Sequence, residues 1–337
     1  MSHSNSSLNC FANCMAKYNF NYILRTPPDK PLSPHFAFGT MAHEVLYKAG
    51  KLRDENNDGV VDKEQYVQII PSEVLYNDLK EAFNITNWEK YFVPIVKKTA
   101  EYETKLCKEF ANDYGSYTIE RELKMSMTPE QFKQATGITI DQSIVGIIDC
   151  LIVQEGKAAI ILDYKFSTKR KTQDDFDMNS QLPLYAFFVH HLYNVPLRNI
   201  KYGYIDIPKQ MFDKPILLSN GTLSRSKSQN VSQDMYKKSV EAIHGQDEYY
   251  NCDEGGYYYD CYCNLALNQV AYLSIQYLDE DTYNGVLKDL FEAAYLIDKI
   301  KQENLPYLKK YDSFSCKSCE YLHSCKPWLN VGNEQWN

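Results

Sequence analysis

Residues 158–165 read Ala158-Ala159-Ile160-Ile161-Leu162-Asp163-Tyr164-Lys165, an almost wholly apolar run that ends abruptly in a carboxylate and an ammonium. Such a run predicts a buried strand, and because side chains alternate across a sheet, Asp163 and Lys165 fall on one face. Residues 144–153 are likewise β-branched and apolar, and the short Gln154-Glu155-Gly156-Lys157 turn joins the two stretches as a hairpin. Asp149 lies inside the first of them. Antiparallel partners share a face only when directly opposite or offset by an even number. A three-residue turn at Glu155-Gly156-Lys157 therefore sets Asp149 beside Asp163, whereas a two-residue turn separates them.

Helical and extended patterns alternate around this hairpin. Leu8, Phe11, Met15, Tyr18 and Tyr22 form a helical stripe over residues 4–25 that carries Cys14 and ends before Pro27 and Pro28. Phe38, Met41, Val45 and Leu46 mark a second helix with His43 in its middle, and residues 88–110 a third. From Tyr117 to Met127 the odd positions are apolar except Arg121, which predicts a strand. A helix over 175–194, a strand over 200–207 and a long helix over 281–303 follow, while residues 208–264 are rich in Ser, Asn, Gly and Tyr around one helical stretch. No internal repeat is present. The order of elements implies an α/β fold, a mixed sheet with helices packed on it.

Composition narrows the class. With 337 residues, 44% of them apolar, the chain can bury a sizeable core. A formal charge of −8 argues against a nonspecific polyanion binder but leaves room for a local basic groove. No segment approaches the roughly 20 apolar residues of a membrane span, and no charged start precedes an apolar stretch, so a soluble cytoplasmic protein of a bacterial or phage-infected cell is expected, with no membrane partner.

Two carboxylates converging at a sheet edge repel in a dry setting, and a divalent cation resolves the repulsion. Hard oxygen ligands suit magnesium or manganese. The plain alternative is a salt bridge from Asp163 to Lys165 with Asp149 capping a turn, and for an isolated Asp-X-Lys that is the commoner case. For His43 alone, a satisfied interior histidine is also the commoner explanation.

As a set, however, these residues resemble the PD-(D/E)XK nucleases, and more narrowly their RecB-like branch. Gly146-Ile147-Ile148-Asp149 followed by Leu162-Asp163-Tyr164-Lys165 is similar to that family's paired acidic motif. Gln181-Leu182-Pro183-Leu184-Tyr185 resembles the branch's glutamine and tyrosine helix, and Phe38-Gly39-Thr40-Met41-Ala42-His43 its glycine-then-histidine helix. The resemblance implies a restriction-endonuclease-like core over 36–207 in a single elaborated domain, 1–337, that hydrolyses DNA. It assigns metal binding to His43, Asp149, Asp163 and the carbonyl of Tyr164. Lys165 would orient or activate water, and Gln181 and Tyr185, one turn apart on a helix, would contact the substrate strand or brace Lys165. The activity implied is that of an exonuclease on single strands or DNA ends, in recombination, repair or CRISPR adaptation alongside proteins of those pathways. The rival is a noncatalytic DNA-end-binding or assembly subunit. Glu120 and Glu122 share the polar face of the strand 117–127, where the branch often has an acidic residue.

Ten cysteines in a long chain without a leader suggest metal ligands rather than disulfides. Cys316, Cys319 and Cys325 form a C-x2-C-x5-C array, which leaves one ligand to come from elsewhere. The residues from Ser6 through Cys14 resemble the start of RecB-like nucleases carrying an iron–sulfur cluster, the AddB-type and CRISPR-associated exonucleases. That resemblance implies a [4Fe–4S] cluster on Cys14, Cys316, Cys319 and Cys325, joining segments 1–25 and 305–330. Met15 stands where those families commonly have proline, and Cys10 is a rival one turn earlier. Zinc, with His323 as a ligand, is the alternative. Cys252, Cys261 and Cys263 read as ordinary thiols.

Two weaker patterns remain. Residues 54–62 carry oxygen side chains at alternate positions like a calcium loop, but Gln65 replaces the closing glutamate. Lys169, Arg170 and Lys171, with Arg225 and Lys227, could bind phosphates near the site; a solvated loop explains them equally well.

Overall fold

A computed structural model describes residues 2–29, 34–56, 88–167, 171–208, 214–227, 233–268, 271–309, 313–317 and 319–325, with 61, 65, 68, 69, 229 and 231. Five central elements build the middle of the fold: strand β2 (Thr118–Met127), helix α5 (Pro129–Thr136), strands β3 (Ile144–Gln154) and β4 (Ala158–Ser167), and strand β5 (Ile200–Pro208). Ahead of them come β1 (His3–Ser4), α1 (Asn5–Asn13), α2 (Met15–Tyr18), α3 (Pro34–Glu55) and α4 (Trp88–Tyr114). Helices α6 (Gln173–Asp177) and α7 (Gln181–Leu192) link β4 to β5; α8 (Gln233–His244), α9 (Tyr259–Asn268), β6 (Tyr272–Tyr277), α10 (Glu280–Gln302) and α11 (Ser313–Lys317) follow.

The six strands form one mixed sheet in the order β1-β3-β4-β5-β6, with β2 on the other edge of β3. Pairing is antiparallel for β2 with β3, β3 with β4 and β5 with β6, and parallel for β1 with β3 and β4 with β5. Helices cover both faces. On one, Leu8 and Phe11 of α1, Phe132 of α5, Leu184 and Phe188 of α7 and Leu290 and Ile297 of α10 pack over Leu151, Val153 and Ile161. On the other, Met41 and Val45 of α3 and Leu106 and Phe110 of α4 pack over Ile152, Ile160 and Leu162. Burial on both faces explains why β4 reads as a continuous apolar run rather than an alternating one. A separate small core, around Leu223, Tyr236, Tyr258 and Leu265, belongs to the stretch between β5 and β6.

The predicted order of strands and helices stands, with three differences. The stripe over 4–25 is not one helix: Cys14 is extended (φ −162°, ψ 107°) between α1 and α2, and a π-helical turn, Asn19–Ile23, follows. The helix over 175–194 is interrupted at residues 178–180. Strand β6 lies between the stretch 208–264 and the helix predicted from 281, where the sequence assigns no element, and its Leu273 and Ile275 lean on the α3–α4 face.

The hairpin turn has the odd length that the site requires. Gln154 pairs with Ala158, leaving Glu155, Gly156 and Lys157 as the loop, and Cys150 pairs with Leu162. Gly156 takes φ +71°, a left-handed conformation that costs glycine nothing. Its amide donates to the Tyr193 carbonyl (2.9 Å), and that of Lys157 to Gln154 (3.0 Å).

Candidate functional site

The β3–β4 ladder ends at Cys150 and Leu162, and one step further along the same register Asp149 stands opposite Asp163. There the strands fork. The Tyr164 amide donates to Asp149 Oδ2 at 2.7 Å, so a carboxylate takes the place of a ladder carbonyl. Alternation breaks on both neighbours of the fork. Ile148 packs on the α7 face and Cys150 on the α3–α4 face, although two residues apart should share a side. Likewise Leu123 leans on the α7 face while Arg121 is buried beside Glu103. Between them Glu122 has φ +49°, which rotates the chain from one face to the other.

Four groups form a chain from the sheet to α7. Lys165 Nζ lies 2.6 Å from Asp163 Oδ2 and donates to Gln181 Oε1 at 2.8 Å. The Gln181 amide in turn donates to the Tyr185 hydroxyl at 2.6 Å. Asn179 Oδ1 accepts from the Gln181 and Leu182 amides at 2.8 and 2.9 Å, which fixes the first turn of α7 and hence the aim of Gln181. Ser180 is held from the N-terminal segment, accepting from Asn9 Nδ2 (2.7 Å) and donating to Asn5 Oδ1 (2.8 Å). Gly146 lets α7 come this close: a Cβ there would stand 2.9 Å from the Tyr185 ring and 3.1 Å from Phe188. A side chain at 146 would push Tyr185, and with it Gln181, away from Lys165.

His43 projects from α3 with Nδ1 3.5 Å from Asp149 Oδ1, its ring edge-on to Phe166. Ligand atoms of His43, Glu122 and Asp149 lie within 4.8 Å of one another. Burial lowers the His43 pKa and so favours the neutral imidazole that can ligate a metal. Burial, followed by the charge of Asp163, holds the Asp149 carboxyl well above the usual carboxylate range. A nitrogen and several carboxylate oxygens, closely spaced and short of positive charge, fit a hard divalent ion.

Behind the fork sits a charged network that the sequence reading did not anticipate. Glu103 of α4, 4% exposed, accepts from Arg53 (2.6 Å), from Arg121 (2.8 Å) and from the Tyr164 hydroxyl. Arg121 also grips Asp54 through Nε and Nη2, at 2.7 and 3.0 Å. Arg121 is thus the exception to alternation because it neutralises a buried glutamate. Glu103→Ala would leave the buried Arg53 guanidinium without its carboxylate and Arg121 with Asp54 alone, and should cost about 3–5 kcal/mol; chemical denaturation of the variant beside the parental protein measures it.

A family model for the PD-(D/E)XK nuclease superfamily matches residues 2–326. The chain belongs to the PD-(D/E)XK nuclease superfamily. Membership implies nuclease chemistry, usually with divalent metal, and DNA as the general substrate class. No curated protein matches the chain. Among solved structures, a candidate exonuclease of Eubacterium rectale is 10% identical, with 94% of this chain and 92% of that one covered at a TM-score of 0.42. The protein SSO0001 is 11% identical, with 86% and 94% covered at a TM-score of 0.24. At these scores only the family match carries weight.

In this PD-(D/E)XK chain the other singled-out residues fall as follows. Lys169 and Arg170 lie outside the described residues, as does most of 57–62 in the calcium-like run; Asp54 is held by Arg121. Lys171 pairs with Asp175 at 3.2 Å, and its amide donates to Asp206, the residue opposite Lys165 on β5. Arg225 stacks 4.3 Å over the exposed ring of Tyr257, and Lys227 is exposed. Glu120 accepts from the Tyr193 hydroxyl at 2.9 Å.

The segments that carry the cysteines at the two ends of the chain lie against each other, but among the described residues no three of these cysteines bring their sulfurs within 4.8 Å of one another. Burial raises the thiol pKa of Cys325, and Cys14, Cys319 and Cys316 are close enough to add to it; Cys319 is raised by burial and by Cys14 in the same way. Cys10, pushed up to about 11 mainly by burial, neighbours Cys14 and Cys319. Among the described residues none of these cysteines is in a disulfide. Several contacts clasp the segments around them: Lys17 pairs with Glu320 (3.0 Å), and Phe20 stacks on Tyr321 (5.5 Å). The Asp29 carboxylate accepts from the His323 and Ser324 amides at 2.6 and 3.0 Å. Cys252 and Cys261 are buried in the third core. No helix among the described residues is long and apolar enough to cross a membrane.

Proposed function

We propose that this chain is a divalent-metal-dependent DNA exonuclease of the RecB-like branch, acting on single strands or DNA ends in recombination, repair or CRISPR adaptation. The observation that carries it is the fork at Asp149 and Asp163, with Lys165 held between Asp163 and the Gln181–Tyr185 pair. His43, Asp149, Asp163 and the Tyr164 carbonyl hold magnesium or manganese. Bound there, the ion would supply a water of lowered pKa and polarisation of the phosphoryl oxygen. Lys165 orients the attacking water and offsets charge on the phosphate, while Gln181 and Tyr185 fix the ammonium so that it need not reorganise during the reaction. His43 enters the site uncharged, ready to donate a lone pair.

The same reading gives Cys14, Cys316, Cys319 and Cys325 a [4Fe–4S] cluster that joins segments 1–25 and 305–330 to the core at 36–207 in one domain. Cys14 is favoured over Cys10 because the family resemblance places the N-terminal ligand there. His323 is exposed and its backbone is occupied by Asp29, which weighs against the zinc alternative. A gel assay with manganese on linear and on circular single-stranded DNA tests the activity. Degradation of the linear form with the circle left intact is expected. Equal attack on both would make the enzyme an endonuclease.

A further inference from the structure

Glu122 is the irregular residue of the fork. It sits in register opposite Asp149, between the pairs Arg121 with Cys150 and Leu123 with Ile148, yet forms no ladder pair of its own. Its φ of +49° is rare for a residue with a long side chain and is costly in the middle of a strand. Among the described residues Glu122 makes no side-chain hydrogen bond or ion pair that would offset that cost. Glu120, two positions earlier, is held by Tyr193 at 2.9 Å. Asp163 Oδ2 lies 2.6 Å from Lys165 Nζ. The ligand atoms that face one another within 4.8 Å belong to His43, Asp149 and Glu122.

We propose that Glu122 is a protein ligand of the catalytic divalent cation, together with His43 and Asp149, aimed there by its left-handed backbone. The proposal rests on the metal-site reading above and adds a residue to it. A carboxylate placed directly across the strand pair from another carboxylate is unfavourable until a cation lies between them. The backbone irregularity has the same logic: with an ordinary extended conformation Leu123 would leave the α7 face or Arg121 would leave Glu103, so the switch serves the packing of both neighbours and swings the intervening carboxylate toward His43. The added oxygen suits magnesium or manganese better than a nitrogen-rich set would.

The test is manganese binding by the full chain without DNA, read by the EPR signal of free Mn2+, in parental, Glu122→Ala, Glu122→Gly and Asp149→Asn proteins. Loss of a direct ligand should weaken binding on the order of tenfold or more in both Glu122 variants, since even outer partners of ligands are worth about that much. Without metal, Glu122→Gly should melt above Glu122→Ala, because glycine adopts the left-handed conformation freely. Parental affinity in either Glu122 variant, with Asp149→Asn impaired, would overturn this proposal and leave the metal site standing. Parental affinity in Asp149→Asn would remove the site itself. A Glu122→Gly melting point no higher than that of Glu122→Ala would overturn the role given to the backbone.

Discussion

Lys165→Ala abolishes metal-dependent cleavage of DNA while the protein keeps its fold and still binds manganese. The ammonium is 28% exposed and contacts Asp163 and Gln181 rather than the apolar core, so removing it leaves the packing of β4 unchanged. Loss of one preorganised charge at a reacting phosphate costs on the order of 10²–10³ in rate, and Lys165 also orients the water, so the loss should be at least that large. Asp163→Ala should be as inactive, but for a different reason. It removes a ligand and frees the lysine, so manganese binding falls along with cleavage. Cleavage at the parental rate in both variants would show that the chemistry lies elsewhere.

Cys14→Ala loses iron. Three thiolates cannot complete a four-iron cubane, so anaerobically purified variant should be pale and iron-poor, or its cluster oxygen-labile. Stability falls with it, because a centre absent from the unfolded chain contributes its binding free energy to folding, and because the ligands lie about 300 residues apart and their joining restricts the unfolded ensemble. The clasp of Lys17 with Glu320, Phe20 with Tyr321 and Asp29 with Ser324 then stands alone. Since Asn5 and Asn9 of the same segment hold Ser180 beside Gln181, activity should decline as well. Cys263→Ser, at a half-buried thiol, is the control that keeps both iron and melting temperature; Cys252→Ala keeps iron but empties part of the third core. Iron retained in Cys14→Ala and lost in Cys10→Ala would move the fourth ligand one turn back, and zinc in place of iron would end the cluster assignment while sparing the nuclease.

Which features were legible in the sequence follows from how local their causes are. The apolar run ending in Asp163 and Lys165 and the three-residue turn at Gly156 are short-range facts, and the register of the fork follows from them by counting. The spacing of four puts Gln181 and Tyr185 on one helical face, while bracing of Lys165 is one of two roles that the family resemblance implies for them. The break at Cys14 was not, because the apolar stripe continues through it; only the extended backbone at that residue separates α1 from α2. Glu103 looked like one more polar position on a helix, and its burial depends on Arg53 and Arg121 arriving from two other elements. The backbone of Glu122 depends in turn on Arg121 and Leu123 being claimed by opposite faces of the sheet, which no periodicity encodes. Strand β6 did carry a signal, the alternation of Leu273 and Ile275 with Ser274 and Gln276, but it is short and lies between 264 and 281, where the sequence assigns no element.

The central claim is that the Asp149–Asp163 fork hydrolyses phosphodiester bonds with a divalent cation. Its most direct test is release of acid-soluble nucleotide from uniformly labelled DNA by the anaerobically purified chain, with manganese, after chelation, and after manganese is restored. Release that stops with chelation and returns with the metal is the predicted result. A chain that binds manganese and DNA ends yet releases nothing under any of these conditions would contradict the claim and make the fork the remnant of a nuclease in a DNA-binding subunit.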